Sequence, residues 1–476
     1  MPALTMSFLR ILQNSAFMAV AQSLSIGSQI VRSKVIAATL GAPGIAMLGF
    51  MNSYAGNITS ISGWGLSSSG VRMMASAESG ERPAIASAVI TFGRWLSFAG
   101  IALAILTCWP MCQVTFGTGS LFFEFALVGL AAPFLVMGSV FVAMLQVEGD
   151  VRSIAIAQSV GAIAGLLVGG LLIFFLGTLG VALAILVAAA LPTGFLWLKA
   201  RPLLHSNRIA PLREDIVRLA RTGGALMLVG WFAQISAYSV RLIIIKETGV
   251  ESSGYYQAAF SIASTAPLLV LATMANEFFP RIASVADEEE ARKAAEKQVH
   301  ATLLIGLPVI AAIVCLGRLG LRLLYSQEFE PATPLLSWMG WGAFFRLASW
   351  PFGYWLLARG SARQMVAMEF LANFVSVLFT LLLVRLYGLE GAAMGFFWSS
   401  VAYLFIMACV VRQRSGGWVA AHVLGAFLMA AAVLAAAQAG TTGPDTYFSG
   451  VLPVIVVSAL CAGVYWKLIK SAPATE

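Results

Sequence analysis

The chain has 476 residues, of which 59% are hydrophobic and only 11% charged, with a formal net charge of +8 at pH 7; its mean hydropathy is +0.88. Soluble domains carry about 25% charged residues, so this composition excludes a soluble globular protein and points to the bilayer, where roughly 20 apolar residues make one helical crossing. The basic excess does not mark a nucleic-acid binder, because most of it sits in short loops between apolar runs, where it sets topology.

In chain order, the apolar runs predict an all-α multi-pass membrane protein with fourteen spans, near 11–38, 44–71, 84–108, 121–147, 152–175, 178–198, 221–246, 253–281, 299–324, 332–358, 363–386, 389–411, 419–439 and 449–467. The first run lacks a basic start and a clear small-residue cleavage site, so it reads as a retained span and not a secretory signal. The longest polar stretches, 199–221 and 281–300, are too short to bury a core of their own. Cys108, Cys112, Cys315, Cys409 and Cys461 are scattered, and the three histidines are isolated. Neither set has disulfide-framework or metal-ligand spacing, so no metal, cofactor or catalytic residue is expected.

The connecting loops alternate in charge. One set carries Arg72 and Arg82, then Arg152, then the group from Lys199 to Arg221, then Arg281 to Lys297, then Arg359 and Arg363, then Arg412 and Arg414; the other, including "LGAPG", "LGTLG" and "TTGPDTYFSG", carries almost no cations. The positive-inside rule then predicts cytoplasmic termini and cytoplasmic basic loops. Nine of the 29 Lys and Arg residues fall within spans or near their outer ends: Arg32, Lys34, Arg94, Arg241, Lys246, Arg318, Arg322, Arg346 and Arg385.

A weak internal repeat organises these spans. "IVRSKVI" at Ile30 resembles "SVRLIII" at Ser239, pairing Arg32 with Arg241 at an offset of 209; Arg72 pairs with Arg281 at 209, Arg152 with Arg363 at 211, and Gly177 with Gly388 at 211. Six spans separate equivalent points, an even number, so the halves share one orientation and form a parallel repeat about an axis along the membrane normal. The expected domains are an N-terminal six-helix lobe at 1–204, a C-terminal six-helix lobe at 205–414, and two additional helices at 415–476.

The intramembrane cations are the chemical signal. A charge facing lipid near mid-bilayer costs at least ~2.5–3.5 kcal/mol, a cost avoided by facing a watery cavity or by snorkelling to the headgroups. Both readings stand for Arg32, Lys34 and Arg241. Arg94, in "VITFGRWLSFAG", and Arg346, in "WGAFFRLASWPFGYWLLARG", lie deeper; each is expected either to line a cavity or to contact a carbonyl or carboxylate. A cationic cavity suits an anionic cargo, because guanidinium groups hold phosphate through paired hydrogen bonds. Glu277, in "TMANEFFPR", and Glu369, in "VAMEFLANF" with Asn373 one turn on, are candidates for ion or proton coupling or internal partners for an arginine.

Three stretches carry a family resemblance. "LGAPGIAMLG", "GYYQAAFSIASTAPLLVLATMANEFFPRIA" and "YSQEFEPATPLLSWMGWGAFFRLASWPFGYWLLARG" resemble bacterial polysaccharide and O-antigen flippases of the multidrug/oligosaccharidyl-lipid/polysaccharide flippase superfamily. The resemblance covers most of 10–412 and rests on glycines, aromatics and apolar patterns. It implies two six-helix lobes around a central cationic cavity with alternating access, in the bacterial inner membrane. It implies a cargo of undecaprenyl-diphosphate-linked saccharide moved from the cytoplasmic to the periplasmic leaflet, in the setting of polysaccharide polymerase machinery. Arg32, Arg241, Arg94, Arg346 and Lys34 are the positions here that would meet the family's cationic cavity.

Competing readings have their own signatures. A multidrug exporter of the same superfamily would place acidic residues in its cavity, whereas cations predominate here. A polysaccharide polymerase, an enzyme, would need a large outer loop, and the outer loops are about a dozen residues at most. A sugar permease would show a "GxxxD" pattern after its second span, which "VRMMASAESGERP" lacks.

Overall fold

The computed structural model describes residues 8–78, 81–206, 212–285, 287–359, 362–415, 420–440 and 449–471. Those residues are helical throughout, apart from short connections and one 3₁₀ turn at Gln327–Ala332. Nine of the helices among the described residues are long and apolar enough to cross a membrane. Two of these segments, Ala16–Ser76 with 61 residues and Arg363–Arg414 with 52, far exceed the roughly 20 residues of one crossing.

Both long segments bend where the sequence supplies a residue free of Cβ. Helix α1 (Phe8–Gly63) is interrupted at Gly41, with φ 62 and ψ −157, just ahead of Pro43. Helix α13 (Ala362–Ser415) is interrupted at Gly388, with φ 60 and ψ −138. Positive φ is routine only for glycine, so the spans read separately at 11–38 and 44–71, and at 363–386 and 389–411, join through single glycines in place of open loops.

The chain divides into two compact units, Met1–Arg241 and Leu242–Glu476. The boundary falls inside helix α8 (Arg213–Thr248). The reason is local: the first part of α8 bonds to elements of the first unit. The Trp64 indole donates to Ala220 O (2.8 Å), the Asn57 amide donates to Gln234 O (3.3 Å), and Tyr238 shares a short hydrogen bond with Thr115.

The first unit comprises α1, α2 (Leu66–Ser76), α3 (Arg82–Phe116), α4 (Phe122–Gly129), α5 (Ala132–Val147), α6 (Val151–Leu176), α7 (Thr178–Ser206) and most of α8. Its core is a cluster of Leu66, Val89, Val136, Val140, Met144 and Leu219. The span expected at 121–147 is two helices, because Pro133 opens α5, and proline is suited to a first turn but not to a helix interior. Asp150 caps α6 by accepting from Ser153 N (3.0 Å), the usual service of an N-cap carboxylate. The Gly/Ser-rich stretch of the second span breaks at Trp64, the one described non-glycine residue with positive φ (46).

The second unit contains α9 (Val250–Ser284), α10 (Glu288–Cys315), α11 (Gly317–Leu324), α12 (Thr333–Arg359), α13, α14 (Ala421–Ala439) and α15 (Val451–Ser471). Asp287 caps α10, and Glu288, Glu289 and Glu290 fill its first turn, where negative charge meets the positive end of the helix dipole. Helix α14 is tied to this unit by specific contacts. Phe427 stacks on Phe344 with ring centroids 4.9 Å apart, Trp341 Nε1 donates to Gln438 Oε1 (2.8 Å), and the buried Glu296 accepts from Arg292 (2.6 Å) and from Ala420 N (3.1 Å).

Candidate functional site

Ser25, Ser28, Gln29 and Arg32 lie at i, i+3, i+4 and i+7 on α1 and so share one helical face. The face turns toward α6, where the Ser28 hydroxyl donates to Ala162 O. A methyl group on Gly165 would sit 3.5 Å from Arg32 Nη1; the missing side chain leaves the guanidinium its place beside α6.

Arg32 borders two cavities inside the first unit. One, of about 390 Å³, is lined by Asn52, Thr59, Ser60 and Gln234 together with Ala188 and other apolar residues. The other, of about 280 Å³, is lined by Ser25, Ser28, Gln29 and Gln158, again with Ala188. Neither lining contains an Asp or Glu. Arg32 Nε, Thr59 Oγ1 and Gln158 Oε1 are buried without a hydrogen-bond partner. Leaving a buried polar atom unsatisfied costs about 1–3 kcal/mol, so Arg32 with Thr59 at the larger cavity, and with Gln158 at the smaller, makes each a place prepared for a polar ligand. A fixed positive charge with neutral amide and hydroxyl companions selects for an anion.

The other expected residues separate from Arg32. Arg241 is buried, with Nη1 donating to Ser53 Oγ (2.9 Å) and to Ala237 O (2.8 Å); it braces α8 against α1 and lines neither cavity. Its neighbour Gln234 reaches the larger cavity because residue 56 is glycine: a Cβ there would lie 2.6 Å from Gln234 Oε1. Lys34 is exposed and, two residues after Arg32, points to a different face. Arg94 is also exposed and lines a third, mostly apolar groove with Ser97, Phe98 and Trp197.

In the second unit, α12 and α13 bring Arg346, Glu369 and Tyr403 together. The Arg346 guanidinium lies 5.1 Å from the Tyr403 ring centroid, within cation–π range, and within electrostatic reach of Glu369. Asn373 Nδ2 donates to Glu369 Oε2 (3.3 Å) and to Glu369 O (2.8 Å). Arg346 and Glu369 are therefore neighbours in the second unit. The side chain of Glu277 lies outside those described. Sequence reasoning singled out the charges and passed over Asn52, Thr59, Gln158 and Gln234. The available signal was the polar stripe Ser25–Arg32, at helical spacing in an otherwise apolar span.

Residues 47–334 match the sequence model of a family described as polysaccharide biosynthesis protein. Among curated proteins, a candidate O-antigen transporter of Shigella flexneri is 23% identical over 283 residues, 58% of this chain; the match spans 66% of that relative's length. Among solved structures, a multidrug resistance MATE family transporter of the MOP superfamily, inward-facing, superposes with a TM-score of 0.70 at 16% identity, over 84% of this chain and 98% of that one. The lipid II flippase MurJ, in an inward closed conformation, gives 0.68 at 13% identity, over 95% and 99%. A MOP superfamily transporter from Pyrococcus furiosus, described as having a binding pocket of reverse polarity, gives 0.65 at 17% identity, over 85% and 95%. The fold is therefore that of the MOP-superfamily transporters, and the molecule is a multi-pass membrane protein.

Proposed function

This chain belongs to the polysaccharide biosynthesis protein family, and from that premise we propose that it is a flippase for undecaprenyl-diphosphate-linked oligosaccharide, carrying it from the cytoplasmic to the periplasmic leaflet of the bacterial inner membrane. That it is a membrane transporter related to O-antigen transport rests on its family and relatives. The reading of the cargo rests on one observation above all: Arg32 stands between two cavities whose linings hold amides and hydroxyls but no carboxylate.

A diphosphate is the chemical complement of that space. Its oxygens accept the paired N–H groups of a guanidinium. The hydroxyl and amide groups of Asn52, Thr59, Gln158 and Gln234 suit the remaining oxygens and the first sugar. In this reading the isoprenoid tail stays in lipid, alternating access exposes the headgroup to each side in turn, both termini are cytoplasmic, and the delivered units pass to a polymerase. Arg346 with Glu369 is the second polar centre and the place for ion or proton coupling. A cationic drug has no complement at Arg32.

The test is a flipping assay in proteoliposomes with undecaprenyl-diphosphate-linked saccharide, read by its accessibility to an impermeant modifying enzyme. Wild type should flip it, and Arg32→Ala should not. Flipping retained in Arg32→Ala would remove Arg32 from the cargo site. Export of a cationic dye by wild type, with no flipping under any ion gradient, would replace the lipid cargo with a drug.

A further inference from the structure

Arg94 stands apart from the site above. It lies twelve residues into α3, beside Trp95, where the exposed face of the helix turns apolar: Trp95, Phe98, Ile105, Leu106 and Trp109 are all more than half exposed. Arg94 therefore sits on the exposed, apolar face of α3, toward the end that carries Arg82. The same end of α7 carries Trp197, with Arg201 5.7 Å above its ring.

Between these helices is a groove of about 300 Å³. Helix α3 contributes Arg94, Ser97 and Phe98, α5 contributes Met137 and Phe141, and α7 contributes Trp197. Arg94 is its one charged lining residue, and the Ser97 hydroxyl is spent on Gly93 O (2.8 Å). Among the described residues Arg94 has no hydrogen bond and no carboxylate partner. One exposed guanidinium beside an apolar slot is the complement of a molecule with one anionic head and a hydrocarbon tail.

We infer that this groove is a binding site for an anionic glycerophospholipid of the bilayer leaflet on the basic side of the protein. The phosphate pairs with Arg94 and an acyl chain lies along Phe98, Met137 and Phe141. The lipid is a resident of the first unit, separate from the cargo.

Native mass spectrometry of the delipidated full-length protein in detergent tests this directly, with phosphatidylglycerol and phosphatidylcholine of identical chains as probes. Wild type should retain one phosphatidylglycerol about tenfold more tightly than phosphatidylcholine, the weight of one charge-assisted pair. Arg94→Gln, a neutral change on an exposed surface, should lose that preference, Arg94→Lys should keep most of it, and Arg32→Gln should keep all of it. An undiminished preference in Arg94→Gln overturns the site. So does displacement of the bound phosphatidylglycerol by one equivalent of undecaprenyl phosphate, which would make the groove an entry for cargo.

Discussion

Arg32 occupies space that Gly165 leaves open: its Nη1 lies 3.5 Å from where the first carbon of any side chain at 165 would stand. The contact fixes the guanidinium between two cavities, and it gives a variant that perturbs the site without touching a charge. Gly165→Leu should push the Arg32 head out of place and cut flipping to the level of Arg32→Ala while the protein remains folded. Flipping and thermal denaturation of the two variants, measured side by side, check this.

Arg32 carries a buried nitrogen with no partner, an arrangement that favours ligand binding over stability. Arg32→Gln removes a half-buried charge whose cavity linings hold no carboxylate. It should leave Tm unchanged or raise it, by up to ~1–2 kcal/mol of unfolding free energy, while abolishing transport. A fall in Tm would mean that the guanidinium braces the unit.

Arg241 is expected to behave in the opposite sense. Its bonds to Ser53 and Ala237 are structural, so Ser53→Ala should destabilise by about 1–2 kcal/mol and Arg241→Ala by more. Cargo affinity in whatever folded protein remains should be close to wild type. Thermal denaturation together with cargo binding separates these effects.

Arg346 and Glu369 are predicted to be energetically coupled. Arg346→Ala leaves Glu369 with Asn373 as its remaining partner, and Glu369→Gln leaves Arg346 over Tyr403 without a counter-charge. The double variant should be more stable than the sum of the singles predicts, with a coupling energy of about 1 kcal/mol or more. A double-mutant cycle on thermal stability measures it, and additivity within error would show that the two do not interact.

Much of the fold was legible, because its punctuation is written in glycine. Gly177 and Gly388 were paired as register marks, and both take positive φ, 57 and 60. Three residues on, Gly180 packs against the carbonyl of Leu172, and Gly391 packs likewise against that of Leu383. Each pair makes the same tight reversal between two helices, in its own half of the chain. No other residue fits that reversal, so the periodicity survives in sequence where the apolar positions have drifted. Gly180→Ala and Gly391→Ala should each prevent folded expression, since the added carbon meets backbone and no flexible side chain can yield.

The site was less legible. A charge stands out in an apolar run, and Arg32 is legible that way. The residues that line its cavities with it are neutral amides and hydroxyls on distant parts of the chain, Gln158 on α6 and Gln234 on α8, with nothing in their local sequence to distinguish them from helix-packing residues. Arg94 and Arg346 look alike in sequence, each deep in a span beside aromatics. Packing separates them: Arg94 lines an exposed, mostly apolar groove, and Arg346 lies over Tyr403 near Glu369.

The absence of any carboxylate around Arg32 has an electrical consequence. Empty, the pocket carries a net positive charge; holding a diphosphate, with roughly two negative charges, it carries a net negative one. A membrane potential, negative inside, then favours outward movement of the loaded pocket and inward return of the empty one. Each charge that crosses is worth ~2.3 kcal/mol per 100 mV. In the proposed cycle the potential acts in the productive direction on both strokes, and flipping by wild type should accelerate as an imposed potassium diffusion potential is made more negative inside.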